Sequence, residues 1–146
     1  MTRVAVDTNV FVYRVEPETS GKRTQAEAVV NALQGRLVVP VQVLAETSRV
    51  LLARRRPPLP PSAVRAYLDG IRAFADALVP LTSAIVDEAL RGVDAHGLSY
   101  YDAQVWAAAR SAGASVLLTE DFQDGRTVEG VRFVTPVAVA FTLADL

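Results

Sequence analysis

Short apolar runs alternate along this 146-residue chain with longer segments whose apolar residues recur every three or four positions. A short unbroken apolar run bounded by turn residues predicts a buried strand, and the longer period predicts a helix. Five runs are predicted to be strands: Arg3 to Val6, RLVVP, LVPL, SVLLT and VRFVT. The predicted helices are Thr24 to Gln34, Val41 to Arg55, a helix that begins at Ser62, Thr82 to Ala95 and Tyr100 to Ala112.

The order of these elements indicates the fold class. Strands that alternate with helices, each strand an unbroken apolar run, predict an α/β domain with a mostly parallel sheet covered on both faces. Val10 to Val15 is expected to be short and helical or irregular, and the residues after Pro136 to form a short helix. The segment RRRPPLPP is expected to be a loop, because proline cannot continue a helix. Residues 1–146 are therefore predicted to form a single domain.

Composition narrows the classes of function. Cysteine is absent, which excludes disulfides, zinc–thiolate sites and cysteine nucleophiles and suits a cytoplasmic protein. No apolar run approaches the roughly 18 residues of a membrane helix, and Asp7 and Asn9 interrupt the apolar start that a signal peptide would need. His96 is the one histidine, so a nuclease site built on two histidines cannot form within one chain. We expect it to be a surface residue.

Two of the predicted strands end on acidic residues. Asp7 closes the first strand, and Glu120 and Asp121 follow SVLLT. Ligands of an open α/β sheet bind beyond the carboxyl ends of its strands, so acids at these positions are candidate ligands. The alternatives are that Asp7 caps the next helix and that Glu120 and Asp121 are solvated turn residues. Asp124 is assigned to a turn with Gly125.

Two of the predicted helices carry a carboxylate on an otherwise apolar face. Glu46 lies on the apolar stripe of its helix, where a carboxylate is unfavourable unless it is paired or binds a cation. Its alternative partner is Arg49, one turn further along. Asp102 lies near the start of another helix, and there the alternative is a capping box with Ser99, three residues earlier.

The candidate acids Asp7, Glu46, Asp102 and Asp121 gain significance as a set. If they share one edge of the sheet, they form an anionic cluster that mutual repulsion opposes. A divalent cation would remove that conflict. Oxygen ligands without a nearby thiol or imidazole favour Mg²⁺ or Mn²⁺ over zinc.

Four segments carry a family resemblance: VAVDTNVFVY, VQVLAETSRVLLAR, LSYYDAQVWAAA and VLLTEDFQDG. In this order, over nearly the whole chain, they resemble the PIN-domain ribonucleases, and in particular the VapC-like toxins of bacterial toxin–antitoxin pairs. The resemblance implies a three-layer α/β/α sandwich and Mg²⁺- or Mn²⁺-dependent cleavage of single-stranded or loop RNA. It also implies a homodimer that a small antitoxin protein inhibits.

The resemblance carries over residue by residue. The four family acids fall on Asp7, Glu46, Asp102 and Asp121. We expect the three aspartates to hold the metal and Glu46 to orient water or complete a second metal site. A metal-held water has a lowered pKa, so hydrolysis needs no histidine base.

Two polar residues also match family positions next to the acids, and one position differs from some relatives. Asn9 matches a polar residue that supports the first acid, and Thr119 matches a Ser/Thr that precedes the fourth. Gln123 stands where some relatives carry another acid, which leaves open whether Glu120 shares the role of Asp121.

Basic and aromatic residues near these motifs are candidates for RNA contact. Four arginines follow Glu46 along its helix and into the loop: Arg49, Arg54, Arg55 and Arg56. They are candidate phosphate ligands, and the alternative is a solvated helix end, where cations favour the dipole. Trp106, Tyr100 and Tyr101 are expected to pack in the protein, and the alternative for a tyrosine is a place along the substrate path. The helix over Ala63 to Ala77, with the proline loop, is the expected partner surface.

Three alternatives to a toxin nuclease stay open. A phosphatase with an aspartyl nucleophile usually has a second acid two residues after the first, where this chain has Asn9. A catalytically silent module would bind metal or RNA without cleaving it. An RNA-processing nuclease would keep the fold and chemistry but would have no antitoxin.

Overall fold

The computed structural model describes residues 2–17, 21–136 and 141–146. Within these residues the strands are β1 (Arg3–Val6), β2 (Leu37–Pro40), β3 (Ala77–Val79), β4 (Ala114–Leu118), β5 (Thr127–Val128) and β6 (Val131–Val134). The helices are α1 (Thr8–Tyr13), α2 (Lys22–Asn31), α3 (Val41–Arg49), α4 (Pro61–Phe74), α5 (Ser83–His96) and α6 (Tyr100–Ser111). A π-helical segment (Val50–Arg54) continues α3, and Leu143–Asp145 forms a 3₁₀ turn.

The strands form one sheet in the order β3-β2-β1-β4-β6-β5. Every neighbouring pair is parallel except β5 and β6, which are antiparallel. Because crossovers between parallel strands are right-handed, α1 to α4 cover one face and α5 and α6 cover the other. In agreement, α6 contacts β2, β4 and β6, while α3 contacts α1 and β2. The predicted α/β/α sandwich with a mostly parallel sheet is confirmed.

The two strands that end on acids are neighbours at the centre of this sheet. Val6 of β1 pairs with Leu118 of β4 at their carboxyl ends. The next residue of each chain segment, Asp7 and Thr119, therefore leaves the sheet at the same level. The N–H of Asp7 donates to the carbonyl of Leu118 at 2.9 Å, which extends the ladder by one bond.

On the face of the sheet that α5 and α6 cover, these two helices pack tightly against each other. Trp106 of α6 is fully buried, and its indole N–H donates to the carbonyl of Val128 at 3.2 Å. A Cβ atom at Gly92 of α5 would lie only 2.7 Å from the Trp106 ring, so only glycine allows the helices to approach this closely. The expectation that Trp106 packs in the core is confirmed.

Several element boundaries differ from the predicted ones. The second helix spans Lys22–Asn31 rather than Thr24 to Gln34, and α4 begins at Pro61, a residue favoured in the first turn of a helix. The last turn of the segment predicted as Val41 to Arg55 is π-helical, with the N–H of Arg55 donating to the carbonyl of Val50 at 2.8 Å.

The remaining differences lie in the last part of the chain. The two-residue strand β5 was not predicted, because two residues are too short to show a period. The helix expected after Pro136 falls partly on residues 137–140, which lie outside the described residues. None of the described helices is long and apolar enough to cross a membrane.

Candidate active site

Asp7 both caps α1 and faces the other candidate acids. Its Oδ1 accepts from the N–H of Thr8 at 2.7 Å, and its Oδ2 accepts from Thr119 Oγ1 at 2.9 Å. The side chain is nearly inaccessible, since the residue is 3% exposed. The same geometry therefore fits both interpretations of Asp7. The N-terminus of a helix attracts a carboxylate whether that carboxylate acts as a cap or as a ligand.

Thr119 ties two of the acids to one another. While its hydroxyl donates to Asp7, its Oγ1 accepts from the N–H of Asp121 at 3.1 Å. Asn9 of α1 approaches from the other side, with its Nδ2 3.4 Å from Asp121 Oδ1. Asn9 therefore contacts the fourth acid, Asp121, and not the first, as the resemblance had implied, while Thr119 contacts both. The bonds from Thr119 to Asp7 and from Asn9 to Asp121 each join residues 112 positions apart in the chain.

Asp102 lies at the third position of α6, but the capping-box prediction is wrong. In a capping box the Ser99 hydroxyl would accept from the backbone N–H of Asp102. Ser99 makes no side-chain cap here, and its Oγ instead donates to Asp102 Oδ2 at 2.6 Å. Ser99 therefore orients the carboxylate rather than the helix end.

Three of the four predicted acids meet at the carboxyl edge of the sheet. Asp7, Asp102 and Asp121 each place one carboxylate oxygen so that all three oxygens lie within 4.8 Å of one another. We call these three residues the acid cluster. Such a set of oxygens matches the ligands that Mg²⁺ and Mn²⁺ prefer.

Glu46 lies beside the acid cluster but outside this group of three. Its Oε2 accepts from Thr8 Oγ1 and its Oε1 accepts from Gln42 Nε2, each at 2.9 Å. The alternative ion pair with Arg49 does not form between these two described residues, and the neutral side chains of Thr8 and Gln42 contact Glu46 instead. Thr8 and Gln42 were missed from the sequence, although Gln42 precedes Glu46 by the four residues that bring helical side chains together.

The electrostatics of the acid cluster favour binding of a cation. Burial raises the pKa of Asp7 to about 6, against the lowering effect of its hydrogen bonds from Thr8 and Thr119. Burial also raises the pKa of Asp102. The charges of Asp121 and Glu46 raise both pKa values further. Like charges at this spacing are therefore close enough to oppose one another's ionisation, and a divalent cation would relieve that repulsion.

Glu120 is directed into a different set of contacts. Its Oε2 accepts from the Tyr13 hydroxyl at 2.5 Å, and its Oε1 lies 3.9 Å from Lys22 Nζ. Lys22 also donates to the Tyr13 hydroxyl at 3.2 Å. Of the two adjacent acids, Asp121 joins the acid cluster and Glu120 does not. Asp124 and Gly125 lie in a turn, as predicted, and Asp124 Oδ1 also accepts from the N–H of Thr135 at 2.8 Å.

The four candidate arginines divide into two pairs. Arg55 donates from Nε and Nη2 to the carbonyl of Val15, and Arg56 donates to the carbonyl of Ala53 at 2.7 Å. Arg49 and Arg54 are exposed, with no such backbone contact. Gln123 is exposed in the turn after the acid cluster.

Comparison with known proteins identifies the family. A family model for the PIN domain matches residues 4–125. Comparison with curated protein sequences finds no match. The chain resembles the crystal structure of VapC20 of Mycobacterium tuberculosis, a sarcin–ricin loop cleaving toxin, with 20% identity and a TM-score of 0.66 over 86% of this chain and 97% of that one.

Two further structures are similar in fold. A toxin–antitoxin complex from Klebsiella pneumoniae has 16% identity and a TM-score of 0.64, covering 91% of this chain and 97% of that one. DNA-bound VapBC from Salmonella typhimurium has 18% identity and a TM-score of 0.60 with the same coverage of 91% and 97%. At these identities the likeness is one of fold, and the family model carries the assignment. The chain belongs to the PIN-domain family.

Proposed function

We propose that this protein is a Mg²⁺- or Mn²⁺-dependent endoribonuclease, the toxin of a toxin–antitoxin pair. The observation that carries the proposal is the acid cluster, three aspartates whose oxygens converge within 4.8 Å at the edge where an α/β sheet binds its ligands. Membership of the PIN-domain family and the fold shared with VapC and VapBC structures support it.

The donor set fits a divalent cation held by Asp7, Asp102 and Asp121. Such an ion would neutralise charge on the phosphate and lower the pKa of a water molecule at the site. The surrounding side chains contact all three carboxylates: Thr119 donates to Asp7, Ser99 donates to Asp102, and Asn9 donates to Asp121. Preorganised ligands of this kind avoid the reorganisation that would otherwise slow the reaction.

Glu46 has a separate role in this proposal. Hydrogen bonds from Thr8 and Gln42 fix its carboxylate beside the cluster. We assign Glu46 the orientation of the attacking water, with a second metal site as the alternative. His96 takes no part, because its Nε2 lies 2.6 Å from Glu129 Oε2 in a separate surface network.

The RNA backbone needs cationic contacts away from the acid cluster. Arg49 and Arg54 are exposed and, within the described residues, donate to no backbone carbonyl, so we assign phosphate contact to them. Arg55 and Arg56 use their guanidinium groups to hold backbone carbonyls, which makes them structural in this proposal.

A small antitoxin and a second copy of this chain are the proposed protein partners. The surface between α1 and α4 supports a docking role, because it encloses an apolar cavity of about 220 Å³ lined in part by Phe11, Tyr67 and Ile71. Arg14 also lines it, and its buried Nε has no hydrogen-bond partner among the described residues.

Cleavage of RNA by the purified chain tests the proposal. Total RNA is incubated with Mg²⁺, with Mn²⁺ or with excess chelator, and the new ends are sequenced. We expect discrete cleavage that stops in chelator and falls by more than about 100-fold in Asp121→Asn, a larger loss than removal of an outer-shell partner gives. Asp94→Asn is the matched control, since Asp94 is an exposed acid of α5.

The outcomes separate the alternatives. Full activity in chelator would contradict the metal mechanism, and manganese binding without cleavage of any RNA would identify a silent module. Induced expression should arrest bacterial growth, and Asp121→Asn should relieve the arrest at equal protein level. Cleavage without growth arrest, and without a short neighbouring reading frame for an antitoxin, would favour a processing nuclease.

A further inference from the structure

Tyr101 is an exposed aromatic side chain at the rim of the acid cluster. It is 67% exposed, so the expectation that it packs in the protein is wrong. Every other aromatic side chain of the described residues is buried or half-buried. Two that also adjoin the site have partners: the Phe122 ring packs edge-on against Phe133 at 4.3 Å, and Tyr13 donates to Glu120.

The backbone of Tyr101 is held between two of the proposed site acids. Tyr101 directly precedes Asp102 in α6, and its carbonyl accepts from Gln42 Nε2 at 3.3 Å. The same Nε2 donates to Glu46 at 2.9 Å, so one amide group links Tyr101 to Glu46. These contacts fix the backbone of Tyr101 next to Asp102 and Glu46.

The ring itself is supported on one side and open on the other. Tyr100 packs edge-to-face against it with 5.4 Å between the ring centroids, and the Tyr100 hydroxyl accepts from Gln104 at 2.8 Å. Tyr100 is thereby fixed within α6 and limits the orientations of Tyr101. The outer face of Tyr101 is left free for a flat ligand.

We propose that Tyr101 is a base-stacking residue that binds an unpaired nucleotide next to the cleaved phosphate. Unpaired bases offer flat π faces, and aromatic side chains of RNA-binding proteins stack on them. A base within a duplex is already stacked on both faces, so the Tyr101 ring selects single-stranded or looped RNA. The inference rests on the proposed ribonuclease function and adds a residue that selects the substrate.

A protein partner is the other occupant that an exposed tyrosine suggests, because tyrosine is enriched at protein interfaces. Val41, beside Gln42, is 40% exposed and would enlarge such a contact. The position of Tyr101 directly before Asp102, with its carbonyl linked through Gln42 to Glu46, favours RNA, because the proposed substrate binds at these acids. A protein contact is therefore kept as an outcome of the test.

The test uses a set of variants matched in size. Tyr101→Phe keeps the aromatic face, Tyr101→Leu keeps apolar bulk without it, and Tyr101→Ala removes both. Leu90→Ala is the control for loss of an exposed apolar side chain, because Leu90 is 54% exposed on α5. The substrate is a single-stranded oligoribonucleotide that contains a mapped cleavage site, together with copies that each lack one base near the cut.

Steady-state kinetics give the main result. We expect Tyr101→Ala and Tyr101→Leu to raise KM by about 5- to 150-fold, the range that loss of one stacked base gives. Their kcat should change little, and Tyr101→Phe and Leu90→Ala should stay close to wild type. In wild type, removal of one particular base should raise KM by the same factor, and in Tyr101→Ala that removal should have no further effect.

Binding without cleavage separates this inference from the proposed function. Fluorescence anisotropy with the labelled oligonucleotide compares Asp121→Asn with the double variant Asp121→Asn/Tyr101→Ala. Weaker binding by the double variant supports the stacking role, and equal binding overturns it even if the wild type cleaves RNA. Unchanged KM in Tyr101→Leu, or a loss confined to homodimer stability in light scattering, would also overturn it. Failure of the wild type to cleave any RNA overturns only the nuclease proposal.

Discussion

Two groups of carboxylates in this protein have opposite electrostatic surroundings. In the acid cluster, burial and the neighbouring carboxylates raise the pKa of Asp7 to about 6. On the far side of α6, a surface ion network joins α5, α6 and the turn between β5 and β6, and its members are Glu88, Arg91, His96, Arg110 and Glu129. There, hydrogen bonds from Arg91 and His96 lower the pKa of Glu129 to about 2.

The difference separates carboxylates that are paired within the chain from those of the proposed cation site. Glu129 is neutralised by groups within the chain: Arg91 donates to both of its oxygens, at 2.9 and 3.0 Å. Among the residues that the structure describes, no such cation neutralises Asp7, and the charges that act on it are those of Asp121 and Glu46. A site that is unfavourable until a cation arrives is typical of functional residues, which are retained at a cost in stability.

The largest expected effect comes from neutralising one member of the acid cluster. With chelator present, Asp102→Asn should stabilise the protein by about 0.5–2 kcal/mol, because it removes repulsion. Saturating Mn²⁺ at 100 times its Kd should stabilise wild type by about 2.7 kcal/mol and leave the variant unchanged. Chemical unfolding of both proteins, with chelator and with Mn²⁺, measures both effects.

Loss of stability in Asp102→Asn would instead favour the interpretation of Asp102 as a helix cap. An acid in the first turn of a helix interacts favourably with the helix dipole. If Asp102 acts only as a cap, Asp102→Asn should lower the free energy of unfolding by a few tenths of a kcal/mol, with or without metal. A wild type that ignores Mn²⁺ would place Asp102 outside any metal site.

A somewhat smaller effect is expected from pH in the metal-free protein. The pKa of Asp7 is about 6 in the folded state and about 3.9 in the unfolded state, so the folded state binds the proton more tightly. Its contribution to stability is complete below about pH 4 and is lost as the pH rises through about 6. We expect the free energy of unfolding to fall by about 1–1.5 kcal/mol between pH 5 and 7.5.

Asp7→Asn supplies the control for the pH prediction. Asparagine keeps an oxygen that can cap α1 but does not titrate, so the fall between pH 5 and 7.5 should be smaller in this variant. Urea unfolding in chelator at several pH values gives the comparison. An identical pH dependence in both proteins would assign the effect to a group other than Asp7.

The smallest effect is expected in the surface ion network. Glu129→Gln removes the partner of Arg91 and His96, and because exposed ion pairs are screened by solvent, the melting temperature should fall only slightly. The decrease should shrink further at high salt, and RNA cleavage should be unchanged. A loss of cleavage comparable with that of Asp121→Asn would break the distinction between the two groups of carboxylates.

The sequence predicted the framework of the site well because strand ends leave a local signature. Asp7 follows an apolar run directly, and the parallel sheet brings that run beside SVLLT, so two acids could be expected at one edge. The alternation of strands and helices was equally local. Which of Glu120 and Asp121 joins the acid cluster could not be predicted locally. It depends on Tyr13, which is 107 residues from Glu120 in the chain.

Side-chain exposure was the least predictable property. Tyr100 and Tyr101 are adjacent and chemically identical, yet only Tyr101 points away from the packed face of α6. The arginines after Glu46 likewise look alike in sequence, and the carbonyl contacts that occupy Arg55 and Arg56 arise only when α3 unwinds into its π-helical end. Both outcomes depend on tertiary packing, which no local pattern encodes.

Direct titration of Mn²⁺, followed by the electron paramagnetic resonance signal of the free ion, tests the central claim that the acid cluster is a cation site. We expect wild type and Glu129→Gln to take up the ion with the same affinity, and Asp102→Asn and Asp121→Asn to lose that uptake. Equal binding by all four proteins would contradict the assignment of the metal to the acid cluster, and absence of binding by wild type would contradict the cation site altogether.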